Sequence, residues 1–106
     1  ALPFYTRLWK EVKGKKPHPE AYGMSGAESV VRANDASPKW DEATGQYYAE
    51  FKSSGATYKI WLEEETSLKK KLEVVKKNKT AGVAFWKLGF ERAVTWTTIA
   101  DAVRGW

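Results

Sequence analysis

The feature that most constrains the fold is a charged helical pattern placed between two strand patterns. Within residues 65–77, Leu68, Leu72 and Val75 recur at helical spacing, so that one apolar stripe faces a charged remainder. Acidic residues precede this segment and lysines end it, as the helix dipole favours. The flanking segments 56–62 and 82–88 have strand patterns, and the small and apolar residues of the second are typical of a buried parallel strand. Strand, helix and strand in this order predict an α/β fold.

The rest of the chain predicts shorter elements. Its pattern of apolar and turn-forming residues gives a strand over 2–9, a loop over 10–24, a helix over 25–34, a loop over 36–42, a hairpin over 46–62 and a helix over 95–104. In the first helix, Ser25 and Glu28 form a capping-box pattern, and Asn34 suits a left-handed C-cap. In the hairpin, Gly55 supplies the positive φ that a tight turn needs.

Composition limits the classes of function. The chain has 106 residues, enough for one domain, and no cysteine, which excludes a disulfide or a thiolate metal site. No apolar run is long enough to span a bilayer. The net charge of +5 invites a nucleic-acid-binding interpretation, but the lysines of 69–79 are interleaved with glutamates as on a solvated helix face. We therefore predict no nucleic-acid partner, no membrane span and no cofactor.

Tryptophan and tyrosine are unusually frequent. Six tryptophans and five tyrosines exceed what one small core needs. Both residue types are costly to bury, because their N–H and O–H groups must find partners. Flat apolar rings also match the C–H faces of sugar rings. We therefore expect some of these side chains to contact a carbohydrate.

No group of residues in the sequence predicts a catalytic or metal site. His18 is the only histidine, and it lies between two prolines with no acid or nucleophile at a suggestive spacing. The glutamates at 63–65 are best explained as the acidic start of the following helix, with one side chain available as a cap. Around Gly14, the glycine spacing and the following Ser or Thr of a phosphate-binding loop are missing. We expect neither a catalytic residue nor a metal ligand.

Three segments resemble glycoside hydrolase family 18, in its chitinase-like and spore cell-wall branch. Residues 2–9 (LPFYTRLW) resemble the seventh strand of that family's barrel, and residues 81–91 (AGVAFWKLGFE) resemble its eighth strand. Residues 56–68 resemble the junction that ends the family's α+β insertion. The resemblance implies the C-terminal portion of a TIM-type barrel with an inserted α+β subdomain. Its parts would be a barrel strand (1–9), the insertion (10–62), and a helix, the last barrel strand and a final helix (63–106).

The resemblance also implies a set of substrate-binding residues. Trp86 would floor the subsite of the reacting N-acetylated sugar, while Tyr5 and Arg7 would lie at the C-terminal end of their strand, where barrel enzymes keep their sites. The other members would line the cleft or bond a sugar hydroxyl, and they are Trp9, Tyr58, Trp61 and Glu91. Structural alternatives remain open: Trp86, Tyr5, Arg7 and Trp61 would then serve the packing of the fold, and Glu91 would be a solvated loop residue.

One departure from the family limits the expected activity. The family's catalytic run on the fourth strand, Asp-x-x-Asp-x-Asp-x-Glu, is absent from the sequence, and with it the general acid and the aspartate that positions the acetamido nucleophile. Thr6 also stands where the family usually has glycine.

We therefore expect a fragment without hydrolase activity of its own. Its parent would be an extracellular or cell-envelope bacterial enzyme that acts on β-1,4-linked N-acetylglucosamine polysaccharide, either chitin or peptidoglycan. Exposed strand edges would favour either self-association or repacking of the first and last strands as neighbours. The alternatives are a freestanding carbohydrate-binding module and, less favoured, a basic nucleic-acid-binding domain.

Overall fold

Two β-sheets and three helices make up the structure, a computed structural model that describes residues 1–106. The strands are Leu2–Pro3 (β1), Tyr5–Glu11 (β2), His18–Gly23 (β3), Lys39–Asp41 (β4), Gln46–Ser53 (β5), Ala56–Leu62 (β6) and Phe85–Trp86 (β7). The helices are Met24–Ala33 (α1), Glu65–Lys77 (α2) and Ala93–Val103 (α3). None of these helices has the length and apolar character that crossing a membrane requires.

The two sheets differ in topology. Strands β1 and β7 pair in parallel, with Leu2 opposite Phe85 and Pro3 opposite Trp86. The other five strands form an antiparallel sheet in the order β3-β2-β6-β5-β4. The connection from β1 to β7 therefore contains the whole antiparallel sheet together with α1 and α2. This is the mixed α/β fold that the sequence predicts.

Each sheet has its own hydrophobic core. The core of the parallel layer involves α2 and α3, and its buried members are Phe4, Met24, Leu68, Leu72 and Ile99. The second core lies between α1 and the antiparallel sheet, and its buried members are Leu8, Ala27, Val31, Ala49 and Ile60. Because the cores lie apart, the molecule is elongated, with extents of 50 × 25 × 22 Å.

The predicted hairpin and the predicted helix over 65–77 are confirmed. In the hairpin turn, Ser54 and Gly55 have φ values of 50° and 76°, as a two-residue type I′ turn requires. Helix α2 begins with a capping box, in which the Glu64 carboxylate accepts a hydrogen bond from the Ser67 backbone N–H at 2.8 Å. The Glu64 N–H in turn donates to the Ser67 hydroxyl at 3.0 Å.

Three predictions about the first 42 residues are wrong. The predicted strand over 2–9 is two strands, because the chain bends at the buried Phe4 and Tyr5 begins a strand of the antiparallel sheet. The predicted loops over 10–24 and 36–42 contain β3 and β4. Pro19 interrupts the strand pattern in the sequence, but β3 is a sheet edge, where a missing N–H is tolerated.

The ends of three elements also differ from prediction. Helix α1 has no capping box, since it begins at Met24, whose N–H donates to the Phe90 carbonyl at 2.8 Å. At its C-terminus Asp35, with φ of 50°, adopts the left-handed conformation predicted for Asn34. The predicted strand over 82–88 is limited to β7, because β1 offers only two residues for pairing. Helix α3 spans 93–103 rather than 95–104.

Candidate functional site

Several predicted site residues lie on one face of the antiparallel sheet. Helix α1 packs on the other face, against Leu8 and Ile60. Since side chains alternate along a strand, odd-numbered residues of β2 and β6 project away from α1. We call this the open face, and its central members are Tyr5, Arg7, Trp9, Glu11, Tyr48, Lys59 and Trp61.

Trp61 has a fixed position on the open face. Its ring packs against Tyr48, with 4.8 Å between the ring centroids. Its indole Nε1 donates to the Oδ2 oxygen of Asp41 at 3.4 Å. A shallow groove of about 220 Å³ separates Trp61 from Trp9 and is bordered by Pro17. The structure therefore brings the two predicted tryptophans to one groove.

Tyr5 and Arg7 lie nearer the start of β2. The Arg7 guanidinium carbon is 6.0 Å from the centroid of the Tyr5 ring. Arg7 is exposed and forms none of the ion pairs in the structure. Its guanidinium is therefore free to donate hydrogen bonds to a ligand.

Tyr58 lies on the face opposite to Trp61. Its ring stacks on Phe51, with 5.0 Å between centroids and 8° between the planes, against the core beneath α1. Tyr58 and Trp61 are three positions apart in β6, and an odd interval in a strand places side chains on opposite faces. The prediction that the two residues line one groove is therefore wrong.

Trp86 is exposed in the parallel layer. The neighbouring Phe85 turns inward and stacks on Phe4, with 4.8 Å between ring centroids and 7° between the planes. Strand alternation therefore directs the Trp86 side chain outward, and the residue is 64% exposed. The peptide bond between Trp86 and Lys87 is cis. The alternative that Trp86 is a core residue does not hold in this chain.

Glu91 has a local role in the loop before α3. One carboxylate oxygen accepts from the Gly89 backbone N–H at 2.6 Å, and the other accepts from the Trp96 indole at 2.9 Å. The backbone N–H of Glu91 has the largest effect on its carboxylate, and the bonds from Gly89 and Trp96 add to it. Together they hold the pKa of Glu91 below its usual value. Glu91 thus stabilises the loop by hydrogen bonds within it, whereas the sequence predicts that its carboxylate contacts either a sugar hydroxyl or solvent.

One buried carboxylate, that of Glu63, is not predicted from the sequence. This residue is 3% exposed at the junction of β6 and α2. Its carboxylate accepts hydrogen bonds from Ser67 at 2.8 Å and from Lys71. Burial raises the pKa of Glu63, although Lys71 opposes the shift. The spacing of Glu63, Ser67 and Lys71 at four-residue intervals was the available signal for this cluster.

Neither Glu63 nor Glu91 has the properties of the general acid of a glycosidase. Such an acid needs a raised pKa and contact with the glycosidic oxygen. Glu63 has the raised pKa but is enclosed by its own partners, whereas the pKa of Glu91 is lowered. Nor do three or more His, Asp or Glu side chains form a cluster that would hold a metal ion.

Comparisons with known proteins agree with this architecture. The family model described as "Glycosyl hydrolases family 18" matches residues 1–91. The cortical fragment-lytic enzyme of Bacillus anthracis is 22% identical over 95 residues, which cover 88% of this chain and 22% of that protein. The chain therefore spans about a fifth of the length of the curated relatives it matches.

Solved structures share the fold. A chitinase from Chromobacterium violaceum ATCC 12472 has a TM-score of 0.83 at 17% identity, covering 97% of this chain and 32% of that one. The spore cortex-lytic enzyme SleL of Bacillus megaterium QM B1551 has a TM-score of 0.81 at 22% identity, covering 94% of this chain and 24% of that one. These structures confirm the mixed α/β fold, and the family model accounts for most of the sequence. The chain belongs to glycosyl hydrolase family 18.

Proposed function

We propose that this chain forms the floor and one wall of the glycan cleft of a family 18 hydrolase and supplies no catalytic acid. The glycan would be a β-1,4-linked polymer containing N-acetylglucosamine, either chitin or peptidoglycan. The exposure of Trp86 is the observation that best supports this proposal. The adjacent Phe85 anchors the strand in the core, whereas the Trp86 side chain is exposed. An exposed indole ring offers the flat apolar face on which the C–H groups of a sugar ring can pack.

Tyr5 and Arg7 extend this surface onto the first strand of the antiparallel sheet. Trp86 is opposite Pro3 in the parallel pair, and Tyr5 follows Pro3 by two positions, so strand pairing brings Trp86 near the start of β2. The free guanidinium of Arg7 would donate hydrogen bonds to a sugar hydroxyl or to an acetamido carbonyl. Thr6, between them, donates from its hydroxyl to the Trp61 carbonyl and so ties β2 to β6.

The two sheets suggest a revised division of the chain. We place the boundary between the barrel layer and the insertion at Phe4, since β2 pairs on both sides within the antiparallel sheet. The barrel layer is then 1–4 with 63–106, and the insertion is 5–62. A parallel sheet of only two strands normally requires further strands beside it. Those strands would belong to the rest of a barrel, and their absence would promote self-association of this chain.

The location of the parent enzyme follows from the proposed substrate. Chitin and peptidoglycan lie outside the cytoplasm, so an enzyme that degrades either polymer acts in the cell envelope or outside the cell. The relatives named cortical fragment-lytic enzymes support an envelope glycan as the substrate of this family branch. We therefore propose an extracellular or envelope location.

Equilibrium binding to insoluble chitin and to purified peptidoglycan tests the proposed function. The comparison uses the wild type, Trp86→Ala and the control Trp106→Ala, which removes another exposed tryptophan, one that is 44% exposed. Loss of one stacked aromatic contact costs about 1 kcal/mol, or roughly fivefold in affinity. We expect that loss for Trp86→Ala and less than a twofold change for Trp106→Ala. A wild type that binds neither polymer, or equal losses in the two variants, would contradict the proposal.

A further inference from the structure

One end of the antiparallel sheet carries the net charge of the whole chain. This end comprises residues 10–18 and 52–59, where β2 is connected to β3 and β5 to β6. We call it the basic tip. Its two segments contain six lysines and a single carboxylate, that of Glu11, so they hold a charge of +5, which equals the net charge of the chain. Basic and acidic residues therefore balance in the remainder of the sequence.

Strand pairing brings the two segments of the basic tip together. Glu11 is opposite Thr57 in the β2–β6 register, and Thr57 is opposite Lys52 on β5. Neighbouring strands lie about 4.8 Å apart, so the backbones of Glu11 and Lys52 are separated by roughly the Debye length of 10 Å at 0.1 M salt. The fields of the lysines on the two segments therefore add.

Five of the six lysines at the basic tip have no ion-pair partner. The Glu11 carboxylate pairs with Lys59, with 3.0 Å between Oε2 and Nζ. The other five lysines are exposed and form none of the ion pairs in the structure, and they are Lys10, Lys13, Lys15, Lys16 and Lys52. Because like charges held close together repel one another, an anionic ligand at the tip would relieve this repulsion.

These five lysines surround the basic tip. Side chains alternate along a strand, so Lys10 lies on the α1 side of the sheet, as Leu8 does, whereas Lys52 lies with Thr57 on the open face. The other three lie in the connection between β2 and β3, in which the Lys15 N–H donates to the Val12 carbonyl at 3.0 Å. A flat membrane surface would meet one side of this arrangement, whereas a flexible polymer can follow it from one face to the other.

The residue types at the basic tip favour phosphate groups and disfavour the recognition of nucleic-acid bases. Lysine binds phosphate as a compact point charge, whereas the planar fork of arginine, which suits carboxylates, is absent from the tip. Single-stranded nucleic acids need exposed rings on which bases stack. The one tyrosine of the tip, Tyr58, is already stacked on Phe51, and the tip has no tryptophan or phenylalanine.

We propose that the basic tip is a docking surface for a linear polyanion that carries repeated phosphate groups. Glu11 lies six positions beyond Tyr5 on β2, which corresponds to roughly 20 Å at the rise of an extended strand. The tip is therefore remote from the surface around Trp86 and Tyr5, and the two surfaces can be occupied at once. This inference goes beyond the proposed function and does not depend on glycan binding.

Binding of labelled inorganic polyphosphate to the full chain, measured by fluorescence anisotropy at several salt concentrations, tests the proposal. Five lysine contacts predict a slope of about −3.5 for the logarithm of the affinity against the logarithm of the salt concentration, or roughly a hundredfold loss between 50 mM and 200 mM salt. In nuclear magnetic resonance spectra of the wild type, we expect the backbone amide signals of residues 10–18 and 52–59 to shift on binding.

Two triple variants of equal net charge separate the position of the lysines from their number. The tip variant carries Lys13→Gln, Lys15→Gln and Lys16→Gln. The control replaces three exposed lysines of α2, with Lys69→Gln, Lys70→Gln and Lys76→Gln. The tip variant keeps two of the five contacts, so its affinity should fall by roughly tenfold or more and its salt slope to about −1.4. The control should change by less than threefold. Both variants should bind chitin as the wild type does.

The outcomes distinguish this inference from the proposed function. A wild type that binds chitin but not polyphosphate, or equal losses of polyphosphate affinity in the two variants, would overturn the inference alone. A single-stranded oligonucleotide and phosphatidylglycerol vesicles, each at equal phosphate concentration, test the alternative partners. Tighter binding to the oligonucleotide would indicate a nucleic-acid partner, and tighter binding to the vesicles would indicate a membrane surface, and either result would also overturn the inference. Equal or weaker binding to both probes would support the polymer.

Discussion

The Nη1 nitrogen of Arg92 lies 2.6 Å from the Oε2 oxygen of Glu28, although the two residues are 64 positions apart. Arg92 is at the N-terminus of α3 and Glu28 is in α1, so this pair joins the parallel layer to the antiparallel sheet. The second amino group of Arg92 pairs with Glu65 at the start of α2. One guanidinium therefore fixes three helices relative to each other, which sets the position of the open face relative to Trp86.

Replacing Arg92 should destabilise the chain measurably. In Arg92→Ala, the partly buried carboxylates of Glu28 and Glu65 lose their shared partner, and Glu65 is only 21% exposed. We expect the free energy of unfolding to fall by about 1–3 kcal/mol, measured by urea denaturation. Arg104→Ala is the control, because Arg104 pairs with Asp101 on the surface and is 78% exposed. It should cost less than about 0.5 kcal/mol, and equal losses in the two variants would contradict this role for Arg92.

The hairpin turn depends on backbone conformation rather than on packing. Gly55 has a φ of +76° and no atom within 4 Å of an added Cβ. Gly55→Ala should therefore cost about 1 kcal/mol through backbone strain alone. Gly82 has equally open space without a positive φ, so Gly82→Ala should be neutral or slightly stabilising. Thermal unfolding of the two variants distinguishes the effects, and a neutral Gly55→Ala would mean that the turn adopts another conformation.

Loss of the cap should weaken α2. The Glu64 carboxylate accepts hydrogen bonds from the backbone N–H groups of Thr66 and Ser67. Glu64→Ala should lower the free energy of unfolding by about 1 kcal/mol. In the control Thr66→Ala, an exposed side chain outside the cap is removed, and stability should change by less than about 0.5 kcal/mol. The capping role would be refuted by a Glu64→Ala variant as stable as the control.

Glu63 should give the chain a characteristic pH dependence. Burial raises its pKa in the folded state above the unfolded value of about 4.3. The folded state then binds the proton more tightly than the unfolded state. The contribution of Glu63 to stability is therefore fully present below about pH 4.3 and is lost as the pH rises through the raised pKa.

The variant Glu63→Gln isolates this effect. Glutamine keeps the size and shape of the Glu63 side chain but does not titrate, so only the wild type carries the proton linkage of Glu63. We expect the difference in unfolding free energy, wild type minus Glu63→Gln, to decrease between pH 4 and pH 7 in urea titrations. A difference that increases over this range would show that Lys71, rather than burial, dominates the pKa of Glu63.

The sequence predicted those parts of the fold that have local causes. The stripe of Leu68 and Leu72 defines α2, and the turn at Gly55 defines the hairpin, because each depends on residues close together in the chain. The strand containing Pro19 and the short strand 39–41 depend on pairing with distant partners, so no local pattern indicated them. The bend at Phe4 was missed for the same reason, since both strands that it separates have strand-forming residues.

In the candidate site, too, some features follow from local sequence and others depend on contacts between distant residues. Alternation along the strands places Trp9 and Trp61 on one face and Tyr58 on the other, and this could have been derived once the strands were assigned. The outward orientation of Trp86 depends on the stacking of Phe85 on Phe4, across the parallel pair. The roles of Glu91 and Arg92 depend on hydrogen bonds whose partners become neighbours only in the folded chain.

An assay for reducing ends shows whether the chain cleaves a glycan that it contacts. The full chain would be incubated with the hexasaccharide of N-acetylglucosamine at a concentration where the Trp86 indole N–H resonance shows binding. We predict no release of reducing ends above the protein-free rate, because the sequence lacks the Asp-x-x-Asp-x-Asp-x-Glu run that supplies the family's general acid. Protein-dependent release that Trp86→Ala abolishes would contradict the account.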